Sequence, residues 1–177
     1  MRILTLILSL VCLSAFAEDD VNLTVKMAES DFKITTGLAQ QGDARAQYKL
    51  ARMYRSGVTV YGESTNKNSV FYRPSVTVVK KNPVEAAKWY LKSAQNGHVL
   101  AELELAYLYL EGEGVKKNPV EAYAYYHSLA TAGISKYSEQ QVKVLEDVLS
   151  PSQIEAGQKR SKEISALIEA NKKTEKK

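Results

Sequence analysis

The 177 residues contain one cysteine, two histidines, one tryptophan and four prolines. The cysteine, Cys12, lies inside an apolar amino-terminal stretch that reads as a cleaved leader, so the rest of the chain has no thiol chemistry and no disulfide. Its stability must come from packing. His98 and His127 sit in separate segments with no acidic cluster at ligand spacing, so no metal site is expected. Neither G-x-G-x-x-G nor G-x-x-x-x-G-K-[ST] occurs, which removes the usual phosphate-cradling loops, and no cofactor is expected. Beyond the amino terminus no run is apolar enough to span a bilayer, which takes roughly 20 residues. A strong charge of one sign is also missing. The 24 basic and 20 acidic residues leave a net charge of +4, one less without Arg2, too little to argue for a nucleic-acid partner.

The leader is the first feature that is present. Arg2 gives a positive end, Ile3 to Leu13 an uncharged and mostly apolar core, and Ala15-Phe16-Ala17 a small-x-small cleavage site before Glu18-Asp19-Asp20. Residues 1–17 are expected to be a signal peptide. Bulky Val11 before Cys12 argues against a lipoprotein. The expected location is periplasmic or secreted, with no stable membrane insertion after cleavage.

Comparing the chain with itself reveals a repeat. Val79-Lys80-Lys81-Asn82-Pro83-Val84-Glu85-Ala86 recurs unchanged as Val115 to Ala122, 36 positions later. Trp89-Tyr90, Ala94 and Gly97 are answered by Tyr125-Tyr126, Ala130 and Gly133. Eight identities in a row at a fixed offset mark an internal repeat. A second register, offset by 55, relates Ala46, Leu50, Ala51, Tyr54 and Gly57 to Ala101, Leu105, Ala106, Tyr109 and Gly112. The first copy therefore carries 19 additional residues between Gly57 and Val79.

Each copy reads as two helices. Ala101, Leu105, Leu108 and Tyr109 recur at i, i+4, i+7 and i+8, one apolar face. Alanines 46, 51, 101 and 106 supply small side chains where helices approach, and Gly57 and Gly112 close the first helices. Asn82-Pro83 and Asn118-Pro119 open the second ones, with Asn as N-cap and Pro at N1. Ala86, Trp89, Tyr90 and Ala94 make the buried face, and Gly97 and Gly133 end these helices.

The segments AQYKLARMYRSG and VKKNPVEAAKWYLKSAQNG resemble the Sel1-like repeat family, a tetratricopeptide-related group. The resemblance covers residues 43–133. Ala51 and Ala106 stand where the family usually has glycine, and Ser93 where it has alanine; all stay small. The resemblance implies an all-α fold, a short α-solenoid, and a scaffold or adaptor role in protein–protein interaction with a protein partner. The flanks read as caps: residues 18–42, with Phe32, Leu38 and Ala39 leading to Gly42, and residues 134–171. In the latter, Ser138-Glu139-Gln140-Gln141 and Ser150-Pro151-Ser152-Gln153 are expected capping boxes, and Ile154, Ser161, Ile164 and Ile168 line one face. Residues 172–177 read as a solvated basic tail.

Residues 58–78 break the helical period. Val58, Val60, Val70, Val76 and Val78 with Tyr61, Phe71 and Tyr72 flank a polar stretch from Gly62 to Ser69, so a β-hairpin or ordered loop is expected. On the first helices, Arg45, Lys49 and Arg52 form a basic stripe whose equivalents are Leu100, Glu104 and Tyr107. In a tetratricopeptide-like arrangement these line the concave surface. With Tyr61, Phe71, Tyr72 and Arg73 of the insertion they are the expected partner-binding residues, the cations suited to a carboxylate-bearing peptide. The alternatives are a periplasmic regulator of a membrane sensor, or a cell-wall or β-lactam hydrolase. Ser30 to Lys33 and Ser64 to Lys67 do fit S-x-x-K. K-T-G and S-D-N are absent, however, and no catalytic residue is expected.

Overall fold

Seven helices and a two-stranded antiparallel sheet follow one another along the described residues: α1 (Arg2–Gln40), α2 (Ala44–Ser56), β1 (Val58–Val60), β2 (Val76–Val79), α3 (Pro83–Gln95), α4 (Val99–Glu111), α5 (Pro119–Thr131), α6 (Lys136–Glu146) and α7 (Pro151–Thr174). The computed structural model describes residues 2–61 and 75–174, with side chains for 21–61 and 75–173. The expected leader falls in the first half of α1, before the described side chains.

The repeated block builds the same frame twice. Asn82 and Asn118 are extended N-caps whose side chains accept from the amides of Glu85 at 3.1 Å and Glu121 at 3.2 Å, with proline in the first turn of each helix. Each cap stabilises its helix by about 1 kcal/mol. The cap residues' own amides donate to equivalent carbonyls, Asn82 to Tyr54 at 2.7 Å and Asn118 to Tyr109 at 2.8 Å. The extra residues of the first copy thus leave and return without disturbing the junction of its two helices. At the far ends, Gly97 and Gly133 take positive φ, and the amides of His98 and Ile134 reach back to Ser93 and Leu129 at 3.0 and 3.1 Å. With the Gly97 and Gly133 amides donating to Ala94 O and Ala130 O, both at 2.9 Å, this double back-bonding closes each helix through its orphan carbonyls.

Helices α1 to α5 pack each on the next in sequence, as a solenoid does. Ala51, Ala101 and Ala106 are fully buried, as are Leu50, Leu105, Tyr90, Tyr123 and Tyr126. Trp89 is only partly buried and fills the seam against Ala39, Ala46 and Leu50. Phe32 of α1 packs there too, edge-on to Tyr54 at 5.9 Å between ring centres. Leu38 is an exception to the expected cap, being exposed. Ser93 keeps its small-residue role and adds a bond, its hydroxyl donating to Ala44 O at 2.6 Å.

The insertion begins and ends as a hairpin. Val58 pairs with Val79, Thr59 with Thr77 and Val60 with Val76, with a bulge after Val58. Gly57 is required at its base: it has φ +74°, and a Cβ there would lie 3.1 Å from Val79 O.

Two expectations at the carboxyl end need correction. Ser135 caps α6, accepting from the Ser138 amide at 3.1 Å. Ser138 is instead fully buried in the first turn, so the expected box is displaced by one turn. The second box forms as read: the Ser150 amide donates to Gln153 Oε1 at 2.9 Å and the Gln153 amide to Ser150 Oγ at 3.3 Å. The helix it opens does more than cover an end. α7 runs alongside α5, with Gly157 against the Tyr123 ring, His127 Nδ1 3.0 Å from Ser161 Oγ and Ser128 Oγ 2.8 Å from Ser165 Oγ. It then reaches the end of α3, where Asn171 Nδ2 donates to Gln95 O at 2.9 Å. Lys172 and Lys173 belong to its last turn, and the Lys172 stem presses on Gly97. Lys172 is therefore part of the fold and not of a frayed tail.

Candidate functional site

Helix α2 is strongly two-sided. Asp43 caps it, accepting from the Ala46 amide at 2.7 Å, and Ala46, Gln47, Leu50 and Ala51 turn inward. That leaves Arg45, Lys49 and Arg52 together on the exposed side. Lys49 pairs with Asp31 of α1 at 2.5 Å, but both side chains are about half exposed, 52% and 47%. Such a pair is weakly held and open to exchange. Arg52 lies over the Tyr48 ring at 6.0 Å. Between α2 and β1 an open groove of about 310 Å³ is lined by Tyr48, Lys49, Arg52 and Met53 on one side and Val58 on the other. Lys49 and Arg52 are legible from spacing, whereas Tyr48 and the groove are not: the groove exists because β1 leaves α2 directly at Gly57.

The α4 residues separate into two groups. Leu100 and Tyr107 are exposed, at 51% and 41%. Glu104 is half-buried and engaged: Arg55 of α2 bonds it and also Glu113 at 3.3 Å, while lying 5.2 Å over the Tyr107 ring. Burial works against the charge of Arg55, but the two carboxylates outweigh it and raise its pKa. Arg55 thus joins the two units, and Glu104 serves that junction more than a free face. No repeat signal marks Arg55, since its equivalent in the second copy is Leu110.

Of the insertion residues, Tyr61 follows β1 and is 72% exposed. Phe71, Tyr72 and Arg73 lie outside the described residues. The histidines are both occupied with packing. His98 is the N-cap of α4 without a capping bond, and its ring stacks on Tyr48 at 4.6 Å. Burial, with Arg45 nearby, lowers its pKa and favours the neutral ring. His127 stacks on Tyr123 at 5.4 Å and is also lowered, by burial first. Among the described residues no cluster of three or more His, Cys, Asp or Glu side chains could hold a metal ion, and no helix is long and apolar enough to cross a membrane.

Comparison with known proteins fits this geometry. Residues 44–67, 71–98 and 99–134 match the Sel1 repeat, and the gap between the first two segments falls inside the insertion. The chain is similar in structure to a protective antigen present in uropathogenic Escherichia coli strains displaying an SLR fold. The TM-score is 0.64 at 21% identity, over 84% of this chain and 28% of that one. It is also similar to a Sel1 repeat protein from Oxalobacter formigenes, with TM-score 0.53 and 30% identity over 68% of this chain and 42% of that one. The chain therefore spans less than half the length of either structure. No curated protein matches it. Sel1 repeats generally mediate protein–protein interaction on a typically non-catalytic scaffold. The chain belongs to the Sel1-repeat family and is an all-α solenoid of that kind.

Proposed function

We propose that this protein is an exported interaction scaffold that holds an acidic peptide segment of a protein partner against the exposed face of α2. The observation that carries this is the charge left over on that face. Arg45 and Arg52 are exposed and in no ion pair among the described residues, Lys49 is only loosely paired, and Lys49 and Arg52 line an open groove. Cations presented by a rigid helix suit carboxylates that arrive on an extended or helical peptide. Leu100 and Tyr107, on the equivalent face of α4, add apolar contact beside them. The leader read in the sequence supports export, which would put the encounter in the periplasm or outside the cell.

Affinity capture from a cell-envelope extract, followed by mass spectrometry, tests both parts. The bait should have the mass of residues 18–177, and a partner bound by it should be lost in the Arg45→Glu/Arg52→Glu double variant. Equal capture by the variant would remove the α2 face from the mechanism, and an unprocessed bait would remove export.

A further inference from the structure

The two copies of the repeat treat one buried polar position differently. Gln47 of α2 and Glu102 of α4 are equivalent, and each is 4% exposed. Gln47 is satisfied on both sides: Nε2 donates to Ala39 O at 3.1 Å, and Oε1 accepts from Asn96 Nδ2 at 3.0 Å. The residue equivalent to Asn96 in the second copy is Ala132, which has nothing to donate. The Glu102 side chain makes no hydrogen bond among the described residues. It lines a cavity of about 120 Å³ where the start of α4 meets the ends of α3 and α5 and the last turns of α7. A buried polar side chain without a partner is costly, and an ionised one more so.

The composition of the walls defines what is missing. The titratable groups facing the cavity are Glu102 of α4 with Glu169 and Lys172 of α7; α3 and α5 contribute none. Lys172 Nζ is 3.3 Å from Glu169 Oε1. Once Glu102 is ionised, one ammonium thus faces two carboxylates, and the deficit is one positive charge. The remaining polar lining is the hydroxyls of Ser128 and Ser165, bonded to each other at 2.8 Å and each with lone pairs to spare. Leu129, Ile134 and Ile168 make the rest of the wall apolar. Drug-sized sites span roughly 300–1,000 Å³. At about 30 Å³ per water, this one has the size of a side-chain tip.

We propose that the cavity is a binding site for a primary alkylammonium group, either a free amine or the end of a lysine side chain, held by the Glu102 carboxylate and the two serine hydroxyls. The ammonium supplies the missing charge and its N–H donors, and the apolar wall takes its alkyl stem. The site is distinct from the α2 groove and does not depend on it. Burial pushes the Glu102 carboxyl up to about 7 against the pull of Lys172, as expected of a carboxylate short of a counter-charge. Binding of the cation reverses that shift, so affinity increases as pH rises through the Glu102 midpoint.

The test titrates the full chain with n-butylammonium chloride at pH above that midpoint, with sodium chloride at equal ionic strength as reference. The methyl resonances of Leu129, Ile134 and Ile168 are followed by NMR. Saturable shifts are expected, and Glu102→Gln should weaken binding about tenfold or more, the loss of a charge-assisted bond. The Glu102→Gln variant reproduces the residue that the first copy already buries, so it should fold. A short lysine-containing peptide is the second probe: tighter binding than butylammonium assigns the site to a protein side chain, and equal or weaker binding to a free amine. Absence of saturable shifts with both probes overturns the proposal. Equal affinity of Glu102→Gln, or equal shifts with tetramethylammonium, which has charge but no N–H, overturns it as well.

Discussion

The first helix pair, α2 with α3, and the second, α4 with α5, share a frame but differ in nearly everything attached to it. Asn-Pro starts, glycine ends and small residues at the crossings are common to both. The first pair buries a satisfied amide at Gln47, shows cations outward and carries a hairpin. The second buries Glu102 with no side-chain hydrogen bond, shows Leu100 and Tyr107 outward and joins its helices by a short turn. Duplication conserves what makes two helices pack, and leaves free what does not take part. Identity between copies therefore locates scaffold, and disagreement between them locates individuality.

Gly114 offers the severest test of this contrast. It occupies the short turn of the second pair at φ +74°, and a Cβ there would come within 2.1 Å of Pro83 O. The equivalent residue of the first pair is Val78, in β2, where the hairpin has changed the path. Gly114→Val should destabilise by about 4 kcal/mol or more, because both the backbone conformation and the interhelical contact forbid it. Chemical denaturation measures this. A loss under about 1 kcal/mol would mean that the second turn is as adaptable as the first.

Glu102→Gln comes next and sharpens the comparison at the buried position. The folded-state pKa of Glu102 is raised to about 7, against about 4.3 for an unfolded glutamate. Between those values the folded chain keeps a proton that the unfolded chain releases. The contribution is therefore fully present below the unfolded value and is lost as pH rises through about 7. Relative to Glu102→Gln, the wild type should lose stability over that window by roughly 4 kcal/mol at most. Parallel stability–pH curves for the two proteins would count against a buried carboxyl with no hydrogen-bond partner.

The smallest effect concerns what the copies share. Asn82→Ala and Asn118→Ala should each cost about 1 kcal/mol, and the two losses should agree within roughly 0.5 kcal/mol. Unequal losses measured by thermal unfolding would show that the hairpin alters the junction it interrupts.

Much of this architecture is legible in the sequence because it rests on local chemistry. Asparagine before proline, and glycine after an apolar face, act through a few neighbouring backbone groups. The path of α7 is not legible in that way. Its apolar stripe, Ile154 to Ile168, says that one face is buried but not against what, so a helix that returns along α5 reads as a terminal cover. Ser135 and Ser138 both have N-cap chemistry, and the choice between them is made by the core, which takes Ser138. On the α2 face the stripe of Arg45, Lys49 and Arg52 could be read from spacing, and the structure keeps all three exposed. Arg55, Tyr48 and Glu102 act through residues about 50 positions or more away in sequence, and only the comparison of registers hints at the last of them.

The return of α7 alters how the whole chain holds together. A plain repeat array is one-dimensional: each unit touches its neighbours, and an end can fray while the rest persists. Here Asn171 and Ile168 tie the last helix to the end of α3, bridging both pairs from outside. That closes the array into a ring of contacts, so opening the second pair also strips the first of its cover. Loss of order should spread through α3 and α5 together, in a single cooperative unit and not repeat by repeat.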